Sequence, residues 1–269
     1  MHRDLDEQWL SLTIADDFMF GKVMQDKSLC TELIQIILPE LDIERIEFPE
    51  RQKSFNEGLF SHGVRFDVYT RTGKGEIIDV EMQMANTGNL PKRTRAYHAM
   101  ITGSEMDAGK MNNYNDIHKA FVIFICMFDL FKKGRHIYTF RNICREDTSI
   151  ELDDGTVTVF LNAKGTMDDV SPRLKNFLEF AKGNKSDDPF ISRMEAKMNE
   201  VMMSPEMKLD YFETQERLNR SRDEGRLEGK IEGRFQAKLE IVKRMRKAGI
   251  SDEQICDLTG LSPEDIAEL

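Results

Sequence analysis

The stretch VRFDVYTRTGKGEIIDVEMQM, residues 64–84, decides the fold because it predicts two β-strands joined by a tight turn. Apolar and polar residues alternate on both sides of TGKG, with the period of two that a half-buried strand requires. The glycine-rich TGKG segment is itself typical of a hairpin turn. A hairpin that turns symmetrically about Lys74 places Asp67 directly opposite Glu81.

The two faces of this predicted hairpin differ in chemistry. The polar faces carry Arg65, Asp67, Tyr69, Asp79, Glu81 and Gln83, and the apolar faces carry Val64, Phe66, Val68, Ile78, Val80 and Met82. Opposed carboxylates repel and destabilise strand pairing, and a divalent cation with oxygen ligands would offset that cost. The alternative is that the polar face is simply exposed to water, as one face of an antiparallel sheet often is.

The segments around the hairpin predict an α/β fold. Helices are expected over residues 16–38 and 92–110, and strands over 43–48, 119–127, 135–140 and 156–162. The strand KAFVIFICM, residues 119–127, is apolar almost throughout, which indicates burial on both faces. The predicted order is helix, three strands, helix and strand, followed by further strands, and it favours a mixed sheet flanked by helices.

Bulk composition narrows the class of protein. The chain has 269 residues, is 32% charged and carries a net charge of −10, which argues against a protein that coats nucleic acid nonspecifically. The longest apolar run is far shorter than the ~20 residues of a membrane span. The first residues lack the pattern of a secretory signal, and the four cysteines lack metal-site spacing. We therefore expect a cytoplasmic protein without a membrane partner.

Five motifs, taken in order, resemble a known family. DDFMFGKVM, VRFDVYT, IIDVEMQ, KRTRAYHAM and KAFVIFICM, within residues 12–165, resemble the recombination-promoting nuclease and putative transposase (Rpn-type) family of the PD-(D/E)XK superfamily. The resemblance implies a restriction-endonuclease-like core with the order α-β-β-β-α-β. It also implies a metal-dependent endonuclease that hydrolyses DNA phosphodiester bonds, with a link to recombination or mobile elements.

The same resemblance implies roles for the hairpin residues. Asp67 corresponds to the motif aspartate, Glu81 to the acidic residue of the (D/E)xK element, and Gln83 stands at the lysine position. Asp67, Glu81 and the carbonyl of Met82 would hold Mg²⁺, with Mn²⁺ or Ca²⁺ as alternatives. A neutral amide at residue 83 can orient water but supplies no positive charge, so strict metal dependence is expected.

Three accessory residues follow from the resemblance. Asp17 stands on the first helix, where the superfamily often presents an additional acid, although it could equally be a helix N-cap. Arg93 and Tyr97 are four residues apart and share a helix face, and they resemble the family's R…Y pair that follows ExQ, which implies a contact with phosphate. The alternative for this pair is a surface salt bridge and a packed ring.

The C-terminal part of the chain predicts a separate helical arm. We expect a nuclease domain over residues 1–185 and an all-helical arm over 186–269. The arm carries an apolar stripe at helical spacing, formed by Leu227, Ile231, Phe235, Leu239, Val242 and Met245. Gly225, Gly229 and Gly233 each weaken a helix by about 1 kcal/mol. This predicts a homo-oligomer held through the arm, unless the stripe folds back onto its own domain.

The last residues predict a short helical hairpin. Residues 250–269 form two short helices broken at Thr259 and Gly260, with Ser262 and Pro263 starting the second. The segment has no basic residue, so it favours a protein contact over a DNA reader. A second function therefore stays open: a catalytically weak family member that acts as a protein-binding or regulatory module through its C-terminal helices.

Overall fold

A mixed six-stranded sheet organises the first part of the chain in the computed structural model, which describes residues 2–41, 43, 45–47, 50–54, 65–107 and 113–262. The strands are β1 (Glu50–Ser54), β2 (Arg65–Arg71), β3 (Ile77–Gln83), β4 (Ala120–Cys126), β5 (Ile137–Phe140) and β6 (Thr156–Asn162). Their order in the sheet is β1-β2-β3-β4-β6-β5. The pairs β3–β4 and β4–β6 are parallel, and the others are antiparallel.

Helices cover both faces of the sheet. The helices of the described chain are α1 (His2–Leu10), α2 (Asp17–Val23), α3 (Lys27–Ile37), α4 (Leu90–Asp107), α5 (Pro172–Ala181), α6 (Pro189–Met203), α7 (Pro205–Lys247) and α8 (Asp252–Thr259). α4 packs on β4, whereas α2 packs on β2, β3 and α6. All seven residues of β4 are buried, and since successive side chains point to opposite faces, both faces are covered. The restriction-endonuclease-like α/β fold is confirmed.

The predicted hairpin is confirmed, with its register. Val68 pairs with Val80 and Tyr69 with Asp79, as a turn centred on Lys74 requires. Gly75 ends the turn with a φ of 98°, a backbone conformation that glycine adopts at no steric cost. Turn chemistry and alternating polarity together therefore fix which side chains face each other across β2 and β3.

Phe66 departs from the predicted apolar face. Its ring packs against Tyr97 of α4, with 4.7 Å between ring centroids, and against Tyr69 at 5.8 Å. Strict alternation would instead place Phe66 with Val68. The β2–β3 pairs run from Val68–Val80 to Arg71–Ile77, whereas Phe66 pairs with Lys53 of β1, so the departure lies where β2 is no longer paired with β3.

The single helix predicted over residues 16–38 is wrong, because two helices occupy this segment. The first ends at Val23, and Asp26 caps the second, since its side chain accepts hydrogen bonds from the backbone N–H groups of Ser28 and Leu29. The apolar periodicity continues across the break, which is why the pattern alone concealed it. The sequence also gave no prediction of α1.

The first predicted strand, residues 43–48, is also wrong. Within the described residues of that segment, Ile46 forms one isolated bridge with Thr72. The first strand of the sheet is instead β1, whose sequence ERQKS is polar because it pairs on one side only, with β2. Residues 55–64, which include Val64 of the predicted hairpin, lie outside the described residues.

The remaining predicted elements are confirmed with small shifts in their ends. β4, β5 and β6 lie within residues 119–127, 135–140 and 156–162. α4 begins at Leu90 rather than residue 92, and residues 108–110 lie outside the described part of the chain. A short 3₁₀ helix, Tyr114–Asp116, occupies the predicted linker.

By contacts the chain divides into two compact units, Met1–Lys208 and Leu209–Leu269. The first unit extends beyond residue 185, where the sequence places the end of the nuclease domain, because α6 packs on α2, α3 and α5. α7 runs for 43 residues, through three glycines at which an added Cβ would meet no described atom within 4 Å. None of the described helices combines the length and the apolar character of a membrane span.

The second unit contains a small core between α7 and α8. Val242 of α7 is buried with Ile255 of α8 and with Leu261. The rest of the stripe differs along its length, because Leu227 and Ile231 are 60% and 61% exposed. The C-terminal half of the stripe thus folds onto the chain's own end. The predicted final helix, from residue 263 onward, lies outside the described residues.

We expect Gly75→Ala to destabilise the protein by at least about 1 kcal/mol, because the turn needs a positive φ. A Cβ there would also lie 2.2 Å from Cδ2 of His118, whose ring is held 2.9 Å from Glu105. Thermal denaturation measures the effect. The control is Gly103→Ala in α4, where no described atom lies within 4 Å and a gain of about 0.5–1 kcal/mol is expected. Equal stabilities for both variants would contradict the role of the turn.

Candidate active site

The site lies where the backbone ladder between β2 and β3 opens. Glu81 Oε1 accepts a hydrogen bond from the backbone N–H of Asp67 at 2.9 Å. Asp67 Oδ2 accepts one in return from the backbone N–H of Met82 at 3.0 Å. Each carboxyl group therefore takes a backbone donor from the opposite strand, and the two acidic side chains face each other as the register predicts.

Arg93 of α4 reaches both Glu81 and Gln83. Its Nη2 donates to Glu81 Oε2 at 3.1 Å, and its Nη1 donates to Gln83 Oε1 at 2.8 Å. The guanidinium also lies 5.3 and 5.2 Å from the ring centroids of Tyr97 and Phe124, in cation–π contact. One side chain thus links the predicted metal carboxylate to the residue at the lysine position.

Tyr97 completes the contacts to Glu81. Its hydroxyl donates to Glu81 Oε2 at 3.3 Å and accepts a hydrogen bond from Arg93 Nη2 at 2.6 Å. Because residues four apart share a helix face, one turn of α4 delivers both side chains to the same oxygen. The alternative of a surface salt bridge is wrong, since the Glu81 side chain is only 3% exposed.

Local sequence explains why α4 lies over this point. Leu90 is fully buried at the start of the helix, and Asn89 O accepts the backbone N–H groups of Lys92 and Arg93. The connection from β3 to α4 is short, so the first turns of the helix cover the polar face of β3. Arg93 is placed above Glu81 for that reason.

Burial disfavours charge on both carboxyl groups. It raises the pKa of Glu81 to about 7, although Asp67 N–H, Arg93 and Tyr97 each favour the ionised form. Burial, followed by the charge of Glu81, raises the pKa of Asp67 well above its usual range. The protein alone therefore leaves the pair short of positive charge.

Asp79 is a buried carboxyl group for which the sequence predicted no role. It is fully buried, and neither oxygen has a hydrogen-bond partner among the described residues. Burial, followed by the charges of Glu81 and Asp67, raises its pKa well above the usual range. The expectation of a wet polar face is wrong, because α4 covers Asp79 and Glu81. Alternation placed Asp79 beside Glu81, but polarity alone cannot distinguish a solvated face from a covered one.

Asp17 lies in the first turn of α2, with an exposed side chain. Its charge makes a small contribution to the raised pKa values of Asp67 and Glu81, so it lies near the pair. The N-cap position belongs to Asp16, whose side chain accepts from Thr13 instead of capping the helix. The alternative of Asp17 as an N-cap is therefore wrong.

A match to a known protein family covers most of the chain. Residues 17–228, most of the chain, match the family described as PD-(D/E)XK nuclease family transposase. The chain belongs to this family. No curated protein and no solved structure matches it. The PD-(D/E)XK domain is a nuclease domain, and nucleases of this type generally use divalent metal ions.

The donor set fits such an ion. Asp67 and Glu81 offer carboxylate oxygens, the hard ligands that Mg²⁺ prefers, and Asp67 Oδ1 accepts no hydrogen bond from any described residue. The described residues contain no group of three His, Cys, Asp or Glu side chains placed to hold a metal. Two carboxylates nevertheless suffice for Mg²⁺, which keeps several waters and takes oxygens from substrate.

We expect the metal-free protein to lose stability as pH rises through about 7. The folded pKa of Glu81 is raised from 4.5, so its protonated form stabilises the fold at low pH and this contribution disappears on ionisation. Melting temperatures in chelator between pH 5 and 8 measure it. Glu81→Gln should flatten the profile, and Mg²⁺ should oppose the loss in the wild type.

Glu105→Gln is the matched control for this profile. Glu105 has a lowered pKa, because hydrogen bonds from His118 and Arg71 outweigh the effect of its burial. Its ionised form therefore stabilises the fold, and this contribution is lost as the pH falls rather than as it rises. Removing it should therefore leave the fall near pH 7 in place. Identical profiles for wild type and Glu81→Gln would show that the carboxyl group at residue 81 does not titrate there.

Proposed function

We propose that the protein is a Mg²⁺-dependent endonuclease that hydrolyses DNA phosphodiester bonds. The supporting observation is the opposed pair of carboxyl groups of Asp67, which is half-buried, and Glu81, which is buried, with Gln83 and Arg93 at the same point. Such a pair is costly in the absence of a cation and has no evident structural benefit. Membership of a nuclease family supports hydrolysis over other uses of a divalent cation.

In the proposed mechanism, Asp67, Glu81 and the Met82 carbonyl would hold the ion. When bound, Mg²⁺ would polarise the scissile phosphate and lower the pKa of a coordinated water. Gln83, which is half-buried, orients the attacking water through its amide. Arg93 and Tyr97 orient Glu81, and the guanidinium contacts phosphate.

The wider biological assignment follows the family. The description of the family as transposase supports a link to recombination or mobile elements. The four cysteines are free thiols, which supports the proposed cytoplasmic location. The alternative function, a catalytically weak binding or regulatory module, is less favoured because Asp67, Glu81 and Gln83 are all present and brought together.

Asp67→Asn and Glu81→Gln should each lower plasmid nicking at least about 100-fold, because each removes a charged ligand of a Lewis acid worth several kcal/mol. Nicking of supercoiled plasmid with Mg²⁺, with and without chelator, measures the effect. Metal-free melting temperatures should hold or rise, since an amide oxygen still accepts the backbone N–H and the repulsion is relieved.

Glu105→Gln serves again as the control, since it removes a well-buried carboxylate that pairs with Arg71 and His118. It should nick at the wild-type rate. Full activity in Asp67→Asn, or activity that persists in chelator, would sink the assignment of the metal site.

We further propose that the helical arm makes the protein a homo-oligomer. Leu227 and Ile231 are consecutive members of the stripe on one face of α7, and both are more than half exposed. A long helix with three glycines and a bare apolar face is weak alone in water, and burial against a second copy would stabilise it.

The double variant Leu227→Ser, Ile231→Ser should convert the oligomer to a monomer, as should removal of residues 209–269. Light scattering at tens of micromolar measures the mass. Leu258→Ser is the matched control, because Leu258 is a similarly exposed leucine at 68% on α8. A wild-type monomer would show that the arm does not self-associate.

A further inference from the structure

A single guanidinium holds two of the residues that the proposed reaction needs. Arg93 Nη2 lies 3.1 Å from Glu81 Oε2, and Arg93 Nη1 lies 2.8 Å from Gln83 Oε1. Glu81 is the proposed metal carboxylate, and Gln83 is the proposed water-orienting amide. In this arrangement, Arg93 occupies one acceptor direction on each of the two residues.

The acceptor capacity of Glu81 Oε2 is already filled. A carboxylate oxygen offers about two lone-pair directions, and Oε2 accepts from both Arg93 Nη2 and the Tyr97 hydroxyl. Oε1 is shared with the backbone N–H of Asp67. A cation that coordinates Glu81 through Oε2 must therefore displace a donor, and the positively charged donor is the one it repels.

The guanidinium of Arg93 can move away from Glu81 because the arginine side chain is partly exposed. Its side chain is 30% exposed, whereas that of Glu81 is 3% exposed, so the guanidinium lies at the outer side of the pair. The rings of Tyr97 and Phe124 lie beneath it and provide cation–π contact that does not depend on the carboxylate.

We propose that Arg93 is the counter-ion of the metal-free site, and that a divalent cation replaces it on Glu81 and releases its guanidinium toward the substrate phosphate. This rests on the proposed nuclease function. The exchange frees Glu81 and Gln83 in one movement and delivers a phosphate-binding group at the moment the ion binds. Before the exchange, Arg93 competes with the ion.

Cation affinity tests the exchange without any cleavage. Titration calorimetry of Mn²⁺ and of Mg²⁺ into the full-length protein should show Arg93→Met binding about tenfold tighter than wild type, since a hydrogen bond to a charged group is no longer broken. Arg93→Lys keeps the charge but cannot bridge Glu81 and Gln83, and should lie between the two. It also carries the test if Arg93→Met does not fold.

Arg95→Met is the matched control, because Arg95 is an exposed arginine on the same helix with no contact to Glu81 among the described residues. It should bind cations as the wild type does. An equal gain in cation affinity in Arg93→Met and Arg95→Met would show that the gain comes only from the loss of one positive charge, and it would overturn the exchange. Unchanged or weaker binding in Arg93→Met would also overturn it, because Arg93 would then only position Glu81.

A second readout follows the released guanidinium. Binding of a short DNA duplex to the wild-type protein, in which Asp67 and Glu81 are both present, should tighten when Ca²⁺ is added. This gain in affinity should be smaller in Arg93→Met than in Arg95→Met. The same gain in both variants would overturn release toward phosphate. Asp67→Asn separates the two proposals: if it binds cations as well as wild type, the metal site and the exchange both fail, whereas an intact dependence on Asp67 confines failure to the exchange.

Discussion

Two opposed carboxyl groups, one buried and one half-buried, lie at the opening of the β2–β3 ladder and impose the constraint on which the rest of the site depends. Glu81 is 2% exposed and lies against Asp67, so ionisation of the pair loses hydration and adds repulsion. Hydrogen-bond donors and a positive charge surround the pair and stabilise its ionised form. Two backbone N–H groups cross between the strands, and Arg93 and Tyr97 reach down from α4. The hairpin, the helix and the arginine therefore belong to one electrostatic arrangement.

The sheet topology makes this arrangement available. β3 pairs antiparallel with β2 on one side and parallel with β4 on the other, and a parallel pair requires a crossover connection. That crossover is α4, which must pack back over the sheet beside the strand it has just left. The helix that closes the fold is thus the same helix that buries Glu81 and Asp79 and supplies their nearest cation. The β3–α4–β4 connection therefore serves both the stability of the sheet and the chemistry of the site.

Sequence patterns predicted what depends on local periodicity and turn chemistry. The hairpin register, the buried strand β4 and the meeting of Asp67 with Glu81 follow from alternation and from one glycine-rich turn. The break at Asp26 was missed because a cap residue within a continuous apolar period leaves that period unchanged. The burial of Asp79 was missed because it depends on what packs above the sheet, which the strand's own sequence does not encode.

We propose that Gln83 occupies the lysine position of the superfamily, and its surroundings change what a neutral amide there means for the charge of the site. From the sequence, a neutral amide leaves the site without positive charge, so the metal must supply it. In the structure a guanidinium lies 2.8 Å from the Gln83 amide oxygen, so positive charge returns to the same point from α4 rather than from β3. An arginine remains ionised under all ordinary conditions, and its planar group bridges Gln83 to Glu81 in a way that an ammonium cannot. The amide and the arginine are therefore best understood as one unit, in which glutamine positions the charge that lysine would carry itself.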